Sequence, residues 1–211
     1  MAKGTALEFF YDCSSPWTYL AFSRILPICE SLRVHIEWRP IIVGGVFNEV
    51  NQGVYSGREQ FLSADSPKLR YYFKDLADWA RLANITLAWP TGHPINAVNA
   101  MRGALFANDQ GKLVPYSLAV FKAYWGGGSE TNIADPAVLA RLGASVGVDP
   151  DALLAATKDQ HYKDRLRANT DELIARGGFG SPTLFIGEDM YFGNDRLELV
   201  QAALRSATHA G

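Results

Sequence analysis

Apolar positions change their spacing twice along the chain. Leu7 to Asp12 is an apolar, aromatic run that predicts a buried strand. Ser14-Ser15-Pro16 stops it and starts a helix. A serine at the cap accepts a bond from free backbone amides, and proline fits the first helical position. Leu20, Ala21, Ile25, Ile28 and Leu32 then recur at three- and four-residue spacings, which gives the helix one buried face. Pro27 lies inside it and predicts a kink. Val34 to Arg39 reads as a second strand, ended by Pro40. A strand–helix–strand unit of this length closes most simply as a right-handed crossover with parallel strands.

Residues 41–66 are rich in Gly, Asn and Ser and read as a long loop. From Pro67 to about Gly177 the pattern is helical. Leu69, Tyr72, Leu76, Trp79 and Leu82 mark one amphipathic helix, and 97–108, 114–125, 136–147, 150–160 and 162–176 mark others. Gly126-Gly127-Gly128 follows a helix, with no Lys-Ser or Lys-Thr after it, so it reads as a helix-ending loop and not as a phosphate loop. Strand spacing returns at Thr183 to Ile186 and Met190 to Phe192, around a hairpin turn at Gly187-Glu188-Asp189. Asn194-Asp195 then reads as the cap of a final helix carrying Leu197, Val200 and Leu204, with Glu198 completing a capping box. This order predicts an α/β fold, a thioredoxin-like domain with a large inserted all-helical domain. The first domain takes residues 1–62 and 177–211, and the insertion takes 63–176.

The chain has 211 residues, enough to bury a core without staples. Its net charge of −2 offers no basic field for a phosphate backbone, so no nucleic-acid partner is expected. Two cysteines make no disulfide framework, and four scattered histidines lack metal-ligand spacing, so no metal is expected. The N-terminal apolar stretch is cut short by Asp12, and no apolar run approaches the roughly 20 residues that span a bilayer. The expectation is a soluble cytoplasmic protein with no signal peptide.

Three segments hold candidate chemistry. Ser15 ends a strand and opens a helix, where free amides and the positive dipole end would stabilise a thiolate or another anion. Taken alone, Ser15 is also an ordinary N-cap. No Gly-x-Ser-x-Gly elbow supports a serine hydrolase. In Gly180-Ser181-Pro182-Thr183, a proline just before a strand suits a cis bond. Ser181 could then offer its backbone to a peptide-like ligand, or the segment is a plain strand start. Gly193-Asn194-Asp195-Arg196 crowds a helix start, where Asn194 and Asp195 could hold an amino-acid head group or simply cap.

Together these segments resemble the family of 2-hydroxychromene-2-carboxylate isomerases and kappa-class glutathione transferases, members of the DsbA-like thioredoxin fold. The matching residues are Phe9 to Trp17, Arg39-Pro40 with Gly45-Val46-Phe47, and His93-Pro94-Ile95-Asn96 with Ala100-Met101-Arg102. Phe179 to Thr183 and Phe192 to Arg196 complete the match. The resemblance implies a glutathione cofactor. Ser15 would hydrogen-bond its sulfur. Ser181, before a cis Pro182, would hold its backbone, and Asn194 and Asp195 its glutamyl end. An Asn of the long loop falls at Asn51-Gln52, where relatives read Gly-Asn.

The implied activity is glutathione-dependent isomerisation of 2-hydroxychromene-2-carboxylate and benzylidenepyruvate-type compounds by a homodimer with a small aromatic substrate. The alternative is a kappa-type transferase that conjugates glutathione to electrophiles. A non-catalytic glutathione-binding protein is a further alternative. A thiol–disulfide oxidoreductase is rejected, because the four residues where its Cys-x-x-Cys would stand are Ser15-Pro16-Trp17-Thr18. Trp17, Phe47, Trp89 and Trp125 are candidates for the substrate pocket or for the core.

Overall fold

The computed structural model describes residues 7–50, 52, 66–127 and 132–209. Strand β1 (Leu7–Tyr11) leads into helix α1 (Pro16–Leu32), strand β2 (Ile36–Pro40) and helix α2 (Val43–Val50). Among the described residues six helices follow: α3 (Pro67–Leu82), α4 (Val98–Asp109), α5 (Leu113–Trp125), α6 (Pro136–Ser145), α7 (Pro150–Lys158) and α8 (Gln160–Ala175). Strands β3 (Thr183–Ile186) and β4 (Asp189–Phe192), a 3-10 turn at Asn194–Arg196 and helix α9 (Leu197–His209) complete the order.

The strands form one sheet in the order β2-β1-β3-β4. β1 is central, parallel to β2 with Phe9 opposite Trp38, and antiparallel to β3 with Phe9 opposite Leu184. Alternate side chains of a strand point to opposite faces, and β1 is apolar on both. Phe9 and Tyr11 join Phe22, Phe121 and Trp125 in the larger buried cluster. Phe10 joins Ile41, Val46, Leu173 and Phe185 in a second cluster on the other face. Helices cover the sheet on both sides, which is why this strand reads as a nearly continuous apolar run.

α1 runs as one helix with Pro27 inside it, and Arg33 ends it in the left-handed region at φ 54°. β3 and β4 form the expected hairpin around Gly187, whose φ of +60° suits a tight two-residue turn. Two expectations need correction. The stretch 41–66 is not all loop, because Val43–Val50 is helical. Val43, Val46, Phe47 and Val50 fall at helical spacing, and this outweighs the glycine pair between them. The final helix is not capped by Asp195. Gly193 takes the cap position of the 3-10 turn, at φ 102°, and Asp195 pairs with Arg196.

The helices between β2 and β3 share the sheet's main core, since Tyr116, Phe121 and Trp125 of α5 lie in the same cluster as Phe9 and Tyr11. The boundary drawn between 62 and 63 lies outside the described residues.

Candidate functional site at the start of helix α1

β1 ends at Tyr11, and a short turn through Asp12, Cys13 and Ser14 delivers Ser15 to the N-terminus of α1. The backbone of Ser15 is extended (φ −100°, ψ 125°), and its Oγ accepts the Thr18 N–H at 3.3 Å. That is the expected cap. The same hydroxyl donates to the carbonyl of Ser181 at 3.2 Å. The Ser181 hydroxyl in turn accepts the Asp12 N–H at 3.0 Å and lies 2.8 Å from Thr18 Oγ1. The Ser181-Pro182 bond is cis, as expected, and His93-Pro94 is a second cis bond.

The third segment is tied to the second, because the Gly193 N–H donates to the Pro182 carbonyl at 3.1 Å. It is tied to α1 through Arg24, which donates to the Asn194 carbonyl at 3.0 Å and to its Oδ1 at 2.7 Å. The three sequence candidates therefore meet at one place, although Asp12 and Ser181 stand 169 residues apart. Asn51 lies outside the described residues.

The two residues of the third segment face differently. Asn194 is only 2 % exposed, turned inward onto Arg24, and its Nδ2 is shielded without a hydrogen-bond partner among the described residues. Arg24 stacks over Trp79 of α3 at 4.5 Å. Asp195 keeps an exposed carboxylate beside Arg196.

The electrostatics at Ser15 come from backbone and from one carboxylate. At the first turn of α1, Pro16 has no N–H and Ser15 caps the Thr18 N–H, so the Trp17 N–H and the helix dipole carry the partial positive charge. Asp12 is buried. Its Oδ1 accepts the Ser14 N–H at 2.9 Å, and its Oδ2 accepts the Val43 N–H, which opens α2, also at 2.9 Å. Burial moves its pKa up, against the pull of those bonds. Cys13 is fully buried, and burial raises its thiol well above the usual range. It is a small core residue, not a nucleophile.

A run of aromatic contacts leads from α1 back to this turn. Trp17 of α1 meets Tyr72 of α3, and Tyr72 meets Phe73 and Trp89. Trp89 then packs on His93 and on Trp125. Trp125 closes the ring by donating its indole N–H to the Cys13 carbonyl at 2.9 Å. Trp125 is wholly buried and belongs to the core, whereas Trp89 is 40 % exposed. Phe47 stands on α2, near Gly180. His93 Nδ1 lies 3.0 Å from the Tyr124 hydroxyl.

Nothing in the sequence marks Arg24 or Tyr124, and Tyr72 reads only as one position of an amphipathic helix. A cleft of about 580 Å³ lies elsewhere, along β2, lined by Trp38, Arg39, Asn108, Arg165 and Asn169 among others. No residue that converges on Ser15 lines it. Among the described residues no cluster of three or more His, Cys, Asp or Glu could hold a metal. No described helix is long and apolar enough to cross a membrane.

Comparison with known proteins extends the picture. The sequence profile of the DSBA-like thioredoxin domain matches residues 6–205. A 2-hydroxychromene-2-carboxylate isomerase of Pseudomonas putida is 28% identical over 199 residues, covering 94% of this chain and 93% of the relative. Glutathione S-transferase kappa 1 of Rattus norvegicus is 24% identical over 206 residues, covering 92% and 88%. A solved 2-hydroxychromene-2-carboxylate isomerase superposes with a TM-score of 0.83 at 27% identity, covering 95% of each chain.

Proposed function

The chain belongs to the DsbA-like thioredoxin family, and on that premise we propose that it is a glutathione-dependent isomerase of 2-hydroxychromene-2-carboxylate and related benzylidenepyruvates, in aromatic catabolism. The observation that carries this reading is the Ser15 hydroxyl. It stands at the N-terminus of α1 and in contact with Ser181, where a disulfide oxidoreductase would need a thiol. Full-length similarity to isomerases supports it.

The donor set suits glutathione. A hydroxyl and the positive end of a helix stand ready for an anionic sulfur, the Ser181 segment offers backbone to a peptide, and the Asp195 carboxylate complements an ammonium group. When bound, glutathione would supply a thiolate for reversible addition to the conjugated double bond, the chemistry that permits cis–trans exchange. Ser15 would donate to the sulfur in place of the Ser181 carbonyl and keep its cap bond from Thr18. The dipole of α1 favours the negative charge. Ser181 and Pro182 hold the peptide backbone. Asn194, anchored by Arg24, sets the turn that presents Asp195 to the glutamyl end. Asn51 is proposed as a further contact. Trp17, Tyr72, Phe73 and Trp89 offer flat apolar surface to an aromatic substrate and keep water from it. The reading includes a cytoplasmic homodimer, on family resemblance.

Calorimetry with reduced glutathione in the presence of a chelator is the first test, and binding without metal is expected. Absence of measurable heat at millimolar glutathione would end the reading. Turnover of the chromene carboxylate is the second. A stable glutathione adduct of an electrophile in place of an isomer would assign the chain to the kappa-type transferases instead.

A further inference from the structure

We propose that Asp12 is a positioning residue that opposes the N-terminus of α1: its buried negative charge makes a thiol held at Ser15 harder to ionise than the helix end and the hydroxyl alone would leave it. The proposal rests on the glutathione reading above. It concerns a residue that holds the turn from beneath and touches neither cofactor nor substrate.

The geometry puts the charge in place. Asp12 is 3 % exposed and forms the floor of the turn that carries Ser15. Its backbone carbonyl accepts the Ser15 N–H at 3.2 Å. Its two side-chain oxygens each accept a backbone N–H, from Ser14 and from Val43, at 2.9 Å. Two accepted bonds and no donated one are the pattern of an ionised carboxylate. No lysine or arginine among the described residues bridges it. The other acids that feel its charge are Tyr11 on β1, whose hydroxyl turns away to Ser117, Cys13 in the turn, and Tyr124 on α5, whose hydroxyl meets His93. Burial raises all three acids, so they stay neutral where Asp12 is charged. The negative charge under the turn is therefore uncompensated by a side-chain cation, and low polarisability around it carries its field to the sulfur position.

The chemistry gives such a charge a use. An isomerase thiolate must add and then leave. A thiolate made very stable by its surroundings attacks poorly, and the best attacking thiol has a pKa near the working pH. A helix end with a hydroxyl pushes the thiol toward an over-stabilised anion. Asp12 pushes the other way.

The test reads ionisation directly. Ultraviolet absorbance of the glutathione thiolate is followed against pH in the bound complex of the wild type and of Asp12→Asn. S-methylglutathione affinity, measured alongside, reports whether the site is still assembled. The expected result is an inflection lower by about one unit in Asp12→Asn, a roughly tenfold more acidic thiol, with S-methylglutathione affinity within a few-fold of wild type. An unchanged or raised inflection with that affinity retained overturns the proposal.

If the variant loses the site, the wild type decides alone. The Asp12 carboxyl is titrated by carbon NMR with S-methylglutathione bound and with glutathione sulfonate bound. A higher Asp12 pKa beside the permanent anion supports the proposal, and equal values overturn it. Failure of the wild type to bind glutathione at all overturns the functional reading itself, and the proposal with it, and is distinguished by that first measurement.

Discussion

The Ser15 hydroxyl serves two partners, the Thr18 amide it caps and the Ser181 carbonyl it donates to. Ser15→Ala removes both. The cap should cost about 1 kcal/mol of stability, read from a denaturant midpoint. A hydrogen bond to a charged sulfur is worth about 1.5–3 kcal/mol, so turnover should fall roughly ten- to hundredfold. The bound thiol should also ionise at higher pH than in wild type; an unchanged pH–rate inflection and full activity would reduce Ser15 to a helix cap. Arg24→Met should leave two acceptors of Asn194 without their donor, a loss of about 1–3 kcal/mol. On the proposed function, KM for glutathione should rise while kcat holds. Ser15 and Ser181 were legible because strand ends, caps and prolines leave local signatures. Arg24 was not, since an arginine in an amphipathic helix reads as a solvated position. Only tertiary packing turns it onto Asn194 and Trp79. For the same reason the inward turn of the Asn194 side chain could not be read from Gly-Asn-Asp-Arg.

Elements meet through a few close contacts, and two of these, one at the site and one between helices, are open to substitution. Trp125 of α5 reaches from the helical layer to the Cys13 carbonyl. Trp125→Phe keeps most of the ring and removes the donor, leaving a buried carbonyl unpaired at a cost of about 1–3 kcal/mol. A lower urea midpoint at unchanged slope is expected. Gly103 of α4 lets α5 and α7 approach. An added Cβ would lie 3.0 Å from Tyr116 Cζ, overlap that hydroxyl, and sit 3.1 Å from Leu153 Cδ1. Overpacking of about 1–3 kcal/mol should outweigh the roughly 1 kcal/mol that alanine gains in a helix, so Gly103→Ala should melt at lower temperature. Element type followed from spacing wherever the apolar period was long, as in α3 and α5. It failed at α2, where Gly44-Gly45 masked a short apolar face and the acceptor of its first N–H, Asp12, comes from the remote turn after β1. Partners remote in sequence leave no local trace.

At the scale of the whole molecule, burial couples both cysteines to the folded state. Burial pushes the Cys29 thiol up to about 11, and the Cys13 thiol well above its usual value. Folding therefore favours the protonated thiols. This contribution to stability is complete below the unfolded thiol value, near 8.5, and is lost as pH rises above it toward the folded values. An alkaline fall in the unfolding midpoint is expected. Neither thiol should react with an alkylating reagent in the native protein at pH 8, and both should react in denaturant; rapid native labelling would contradict their burial. Fold class was legible from element order because the period changes twice. The convergence of the three segments was visible only through family resemblance, since no spacing rule links Asp12 to Ser181. The sheet topology has a further consequence, for the order of synthesis. β1 leaves the ribosome ahead of its partners and can pair with β2 early, yet its other edge stays open until β3 has been made, after the helices of the intervening layer. An apolar strand with Phe9 and Phe10 at its centre waits through most of translation with unpaired backbone, the state most exposed to pairing with a neighbouring chain.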